Sequence, residues 1–282
     1  MVRNALSVDV EDWFQVGAFE TVIDRNDWET LNRRVETNTD AVLALFAETG
    51  VKATFFTLGW VAQRHPQLIR RIVDQGHEIA SHGWDHARVF TMTPAEFADD
   101  IARTKVALED ASGQKVTGYR APSFSIDQRT PWAHEELARA GYDYSSSVAP
   151  IKHDHYGWAD APRFAFQPVE GAELIELPVT TAKFAGRTLA AGGGGFFRLL
   201  PYQFSRWAVS QVNSQDKSAI IYFHPWEIDP DQPRVENAPL KSKLRHYANL
   251  SVMADKMRRL ISDFEWGRVD AVAKAVRAES FA

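Results

Sequence analysis

The sequence predicts an α/β fold: one barrel-like domain of about seven parallel strands with a helical C-terminal extension. Two features of the chain point there. Short apolar runs alternate with amphipathic helical stretches, the pattern that builds parallel strands through crossover helices, and 282 residues suit a single barrel with additions. A third feature fits the same architecture, because polar and charged residues gather where the apolar runs end, the place where barrels assemble their sites.

In chain order, NALSVDV reads as the first strand, and TNTDAVLALFAETG as a helix capped by Asn or Thr at its start and stopped by Gly50. VKATFFTLG is the second strand, HPQLIRRIVDQG a helix closing at Gly76, and HEIASH the third strand. Thr93, Pro94 and Glu96 supply an N-cap, a first-turn proline and a capping-box acid for a helix running toward Ser112. VTGYRAPSF is the fourth strand, TPWAHEELARAG a helix, and YDYSSSV the fifth strand. ELIELPV and SAIIYFHP add two more, with a helix opening at Pro201 between them. The reading is one domain over 1–282, in which about 226–282 form an extension packed on the barrel. Within it, 239–264 read as one long amphipathic helix carrying Leu244, Leu250, Met253, Met257, Leu260 and Ile261. Residues 150–172 and the run AGGGGFF at 191–197 fall outside the rhythm; the glycines mark a loop close to something, or a plain surface loop.

Composition narrows the function. Hydrophobic residues make up 45% and aromatics 12%, which suits a globular core with rings to spare for sugar stacking. The net charge of −5 and the lack of a continuous basic patch argue against nucleic acid as a partner. With no cysteine, any metal must be held by histidine and carboxylate. No apolar run has the length of a membrane span, and the N-terminus lacks the apolar core of a signal peptide, so a cytoplasmic protein is the expectation.

The first strand ends in Asp9, Glu11 and Asp12, the third in His82 and His86, the fourth in Arg120, the fifth in Asp143 and its serines, and IIYFHPWE in His224 and Glu227. His82 and His86, four residues apart, are expected on one side of a helical turn, converging on one cation. Two histidines and one carboxylate leave coordination positions open, and a second carboxylate nearby can take a proton from water; together they predict metal-assisted hydrolysis.

The series SVDVED, SHGWDH, YRAPSF, DYSSS and YFHPWE, in this order, resembles the five motifs of NodB-type polysaccharide deacetylases, carbohydrate esterase family 4. The likeness spans residues 5 to 230, and the tail HPWEIDPDQPR with LRHYANL resembles the subgroup that accompanies exopolysaccharide and exosortase (PEP-CTERM) loci. It implies a distorted (β/α) barrel, the NodB homology fold, and a divalent metal, usually zinc, that serves to hydrolyse the N-acetyl groups of N-acetylhexosamines in a glycan. It further implies Asp9 as general base, His82 and His86 as metal ligands, Arg120 as the ion-pair partner of Asp9, and His224 as general acid. By the same likeness the backbone amide of Ser123 helps hold the oxyanion, Asp143 is the candidate to orient His224, and Trp226 lines the acetyl pocket. One departure stands at the start: where the family carries consecutive aspartates, Val10 follows Asp9, so the carboxylate ligand must be Glu11 or Asp12. Strand alternation puts Glu11 on the face of Asp9 and favours it, with Asp12 as the rival.

Other polar residues have structural readings. His77 is expected as a core or supporting residue, His153 and His155 as a solvated loop, and Ser145 to Ser147 as hydrogen-bonding groups, since no nucleophile elbow surrounds them. Glu227 either caps a loop or contacts substrate, and Arg163 and Arg198 either bind an anionic sugar or sit at the surface. The leading function is a metal-dependent N-deacetylase of a polysaccharide or its lipid-linked precursor, with exopolysaccharide biosynthesis machinery as a partner. A hydrolase of another amide or cyclic amide C–N bond in a small molecule, and a non-catalytic glycan-binding barrel, are the alternatives.

Overall fold

The computed structural model describes residues 2–152 and 157–280; His153 and His155 lie outside the described residues. β1 (Asn4–Val10) is followed by α1 (Val35–Thr49), β2 (Thr54–Thr57), α2 (Gly59–Arg64), α3 (Pro66–Asp74) and β3 (Glu78–Ser81). Next come α4 (Pro94–Ser112), β4 (Gly118–Tyr119), α5 (Ala133–Arg139), β5 (Tyr144–Ser145) and β6 (Ile175–Glu176). A hairpin of β7 (Thr181–Phe184) and β8 (Arg187–Ala190) precedes α6 (Gly194–Leu199), α7 (Tyr202–Asn213) and β9 (Ile220–Phe223). Then follow α8 (Leu240–Tyr247), α9 (Met253–Asp263), β10 (Trp266–Gly267) and α10 (Val269–Ser280).

Eight strands form one parallel sheet in the order β10-β1-β2-β3-β4-β5-β6, with β9 also paired to β1. The strand beyond the expected seven is the two-residue β10. Among the described residues no ladder joins β6 to β9, and irregular chain bridges the gap. Thr180 N donates to Ile220 O at 3.2 Å and Tyr222 N to Gly192 O at 2.8 Å. This is the distortion of the barrel.

β1 is buried along its whole length, as a strand covered on both faces must be. Its alternation sorts side chains: Leu6, Val8 and Val10 join the large cluster under the helices, while Ala5 joins Phe56, Ala80, Tyr144, Ile175 and Ile220 inside the barrel. Burying a side chain such as Leu6 fully is worth roughly 2 kcal/mol. The face of Ala5 is also that of Ser7, Asp9 and Glu11, so hydrophobic patterning aims the carboxylates inward. Val269, Val272 and Ala273 of α10 pack on the interior cluster from the far end, and Val269 N donates to Thr54 Oγ1 at 2.8 Å.

Two sequence expectations change here. The helix expected over 239–264 is broken into α8 and α9, because Ala248 is extended and Asn249 takes a left-handed φ of 56°. The apolar period runs on through the break, so periodicity alone did not reveal it. The start of α1 is not capped by Asn or Thr of its own first turn. Instead Asp12, 22 residues upstream of Arg34, accepts from the amides of Arg34 and Val35 at 2.8 and 3.1 Å. Two ends hold as read, since Gly50 ends α1 at φ 71° and Thr93 with Glu96 forms the capping box of α4, while the helix read from Thr130 opens only at Ala133.

Candidate active site

The C-terminal ends of β1, β3, β4 and β9 bring Asp9, Glu11, His82, Arg120 and His224 into one cluster, and the loop after β3 adds His86. Glu11, His82 and His86 each offer one ligand atom, all within 4.8 Å of one another. Two positions are set by local backbone. Gly83 takes a φ of 73° and His86 one of 61°, so the two imidazoles converge through a tight loop rather than across the helical turn expected from their spacing. Their ring centroids lie 5.5 Å apart. Asp100 of α4, which sequence reasoning passed over, pins that loop by accepting from Trp84 N at 3.1 Å.

His82 Nδ1 lies 2.9 Å from the carbonyl of Arg120, which fixes Nδ1 as the protonated nitrogen and leaves the Nε2 lone pair for a cation. Burial pushes the His82 imidazole down to about 4, keeping it neutral near pH 7, as a ligand must be. Glu11 Oε2 is buried 2.9 Å from His86 Nε2, yet no donor among the described residues points at it in hydrogen-bonding geometry. Such an orphaned carboxylate oxygen beside two imidazoles fits a divalent cation. Burial alone would raise the Glu11 carboxyl, but the adjacent His86 and His224 overcome it and hold the group at about 2.

Of the two carboxylates considered in the first motif, Glu11 is the one whose oxygens lie with the histidines. Asp12 spends both oxygens on amides, Oδ1 on Trp13 and Oδ2 on the start of α1, and burial lifts its carboxyl to about 6. It is a helix anchor.

Asp9 is buried against Arg120, whose Nη1 donates to Asp9 Oδ1 at 2.7 Å. Arg120 itself is wholly buried: it also donates to Ser7 Oγ, Ser146 O and Ser146 Oγ, and lies 4.1 Å over the Phe56 ring. The serines of 145–147 therefore serve as hydrogen-bonding groups, and Ser147 Oγ accepts from Ala121 N at 2.9 Å. Glu176, buried and paired with His134 at 3.0 Å, accepts from the amides of Ser147 and Val148 and so holds this turn.

His224 Nε2 lies 3.5 Å from Glu11 Oε1. Its Nδ1 is bound by Glu227 Oε1 at 2.8 Å, which corrects the expected role of Asp143. Asp143 precedes β5, at the end of the parallel sheet opposite to the site, and its half-exposed carboxylate faces Arg277 of α10 at 3.9 Å. Burial opposes protonation of His224, but Glu11 and Glu227 overcome it and raise the imidazole to about 9. Glu227 is held at about 2 against its own burial, first by Arg198 and then by His224.

Trp226 lies beside the cluster. It is buried, its indole N–H donates to Glu11 Oε1 at 3.2 Å, and it stacks with His224 and His246 at centroid distances of 5.0 and 4.1 Å. Ser123 is half-buried in the turn after Arg120, with a left-handed φ of 55°. His77 is a core residue whose Nδ1 accepts from Ala53 N. Of the two arginines considered for an anionic sugar, Arg198 is buried against Glu227, while Arg163 is half-buried and donates to Thr181 Oγ1 and O. Among the described residues, no helix is long and apolar enough to cross a membrane.

Residues 25–145 match the polysaccharide deacetylase family, and residues 146–274 match a domain of unknown function, DUF3473. Over 175 residues the chain is 54% identical to a chitooligosaccharide deacetylase of Sinorhizobium fredii, covering 58% of this chain and 78% of that protein. It is 33% identical over 91 residues to the peptidoglycan-N-acetylglucosamine deacetylase PgdA of Listeria monocytogenes, covering 32% of this chain but spanning only 20% of that protein's length. The fold superposes on a crystal structure from Mycobacterium smegmatis provisionally assigned as a polysaccharide deacetylase, with a TM-score of 0.65 and 19% identity over 99% of this chain and 92% of that one. It also superposes on the Puue allantoinase, with a TM-score of 0.64 and 15% identity over 98% and 90% of the two chains. The chain belongs to the NodB-type polysaccharide deacetylase family, carbohydrate esterase family 4.

Proposed function

We propose that the protein is a metal-dependent N-deacetylase that releases acetate from N-acetylhexosamine units of a glycan. The observation that carries this reading is the flanking of the Glu11, His82 and His86 triplet by a carboxylate and an imidazole, Asp9 and His224, each tied to a partner that orients it. Asp9 is held against the guanidinium of Arg120, and His224 against the carboxylate of Glu227.

A divalent cation held by Glu11, His82 and His86 would polarise the acetamide carbonyl and acidify water; the nitrogen and carboxylate donor set suits zinc. Asp9, oriented by Arg120, takes the proton from the attacking water as its oxygen bonds to the carbonyl carbon. The amide of Ser123 supports the developing oxyanion. His224, held at Nδ1 by Glu227, gives a proton to the amine nitrogen as the C–N bond breaks. Acetate and the free amine leave, and the protons released by Asp9 and by the nascent acetic acid pass to solvent, from which His224 takes one back. The relative from Sinorhizobium fredii supports a short β-linked N-acetylglucosamine oligomer as the probe. A glycan of exopolysaccharide biosynthesis, as polymer or lipid-linked precursor, is the physiological substrate we favour.

The test is acetate release from N-acetylglucosamine oligomers by the zinc-loaded protein. Release that stops on chelation, returns with zinc and is lost in Asp9→Asn is expected; release that persists after chelation overturns the mechanism.

A further inference from the structure

The buried ion pair behind His224 points beyond the residues assigned so far. Arg198 is 1% exposed, and its guanidinium is fully committed. Nε donates to Glu227 Oε2 at 2.6 Å, Nη2 to the carbonyl of Arg245 at 2.9 Å, and Nη1 to the carbonyl of Ala248. Those carbonyls lie at the end of α8, where the long helix breaks, so the break and the binding of Arg198 are one event. Lys256 and Asn249 in turn fasten the carbonyls of Phe197, Arg198 and Leu200.

Glu227 is thereby held from both sides: Oε2 faces Arg198, while Oε1 accepts from His224 N at 3.1 Å and lies 2.8 Å from Nδ1. The glycine run supplies the space. A Cβ on Gly194 would lie 2.2 Å from Glu227 Oε1, and one on Gly193 would lie 2.8 Å from the Tyr222 hydroxyl. Gly194 is therefore a seat for the carboxylate, whereas a Cβ on Gly195 would meet nothing within 4 Å.

We infer that Arg198 is a positioning residue for the proton donor. It fixes Glu227, which fixes the plane of His224 and turns Nε2 toward the cluster. This inference rests on the deacetylase reading for its consequence in catalysis, and on geometry alone for the arrangement. A buried carboxylate that loses its cation either takes up a proton or turns toward water, and in both cases His224 loses the acceptor that orients it.

Two measurements test this. In acetate-release assays, Arg198→Lys, which keeps a cation but not the three-way fork, is expected to lower kcat about tenfold, and Glu227→Gln about a hundredfold, with KM and zinc affinity unchanged. Gly194→Ala, which leaves both charged residues in place, is expected to lower kcat in the same way. Independently of any substrate, the imidazole Nδ1 proton of His224 is observable by NMR on protein labelled with 15N-histidine and assigned by its loss in His224→Gln. That signal should be present in the wild type, shifted in Arg198→Lys and shifted in Gly194→Ala. An unshifted signal in both folded variants overturns the inference, whatever the activity. A shifted signal in a protein that releases no acetate from any oligomer upholds the arrangement and defeats the deacetylase reading instead.

Discussion

The two ends of the barrel both bury carboxylates, and they treat them in opposite ways. At the C-terminal end Glu11 sits among imidazoles and is held ionised at about 2. At the N-terminal end Glu78, the first residue of β3, accepts from the hydroxyls of Thr54 and Tyr144 and from Asp270 N at 3.3 Å. Burial, with the charge of Asp270 added, pushes its carboxyl up. The nearby guanidinium of Arg268 is spent on Asp270 at 2.7 Å. Equal burial thus goes with shifts in opposite directions, and the difference lies in which groups face the carboxylate. The end rich in histidine and arginine can move protons and hold a cation. The end rich in hydroxyls and backbone amides closes the barrel on α10.

The largest expected effect falls at the charged end. Asp9→Asn should lower kcat for acetate release about a thousandfold, because the amide still accepts from Arg120 but takes no proton from water. A loss smaller than about tenfold would mean that another group is the base.

Next in size is the separation of Glu11 from Asp12. Glu11→Gln should weaken zinc binding at least tenfold by calorimetric titration, whereas Asp12→Asn should leave zinc binding intact and cost about 1–2 kcal/mol in urea unfolding through the amides of α1. The reverse pattern would make Asp12 the ligand.

At the N-terminal end, Glu78→Gln should leave kcat unchanged and flatten the dependence of stability on pH. The folded carboxyl has a higher pKa than the unfolded one, so its stabilisation is complete below the unfolded value of about 4.5 and fades as pH rises toward the folded value. Urea unfolding at several pH values should show the wild type losing on the order of 1 kcal/mol more than the variant over that rise. An equal slope in both proteins would show that Glu78 is ionised in the fold, like Glu11.

The smallest effect belongs to Asp143→Ala. With a half-exposed carboxylate paired only loosely to Arg277, it should change kcat by less than about twofold and stability by less than about 0.5 kcal/mol. A large fall in kcat would return the orienting role to Asp143.

Much of the charged end could be read from residue order. Asp9, Glu11, His82, Arg120 and His224 stand at or just beyond the ends of apolar runs, and in a parallel barrel those ends share one face. Glu227 and Arg198 were visible only as ambiguous charges, because 29 residues separate them and the fold alone brings them to 2.6 Å. The bond from the Trp226 indole to Glu11 could not be read either, because register does not say which neighbour an indole N–H will find. The break at Ala248 and Asn249 was hidden for a related reason: a carbonyl captured by a distant guanidinium leaves no mark on the local apolar period.

The sequence by itself determined the strand and helix alternation, the inward face of β1 and the choice of chemistry at its end, because periods of two and 3.6 residues and strand-end polarity are local properties. Only the tertiary structure decided that Glu11 joins the histidines while Asp12 caps α1, and that Glu227 rather than Asp143 orients His224. Those choices depend on which buried donors and charges meet across the barrel, since a carboxylate removed from water takes its role from the groups that replace the water.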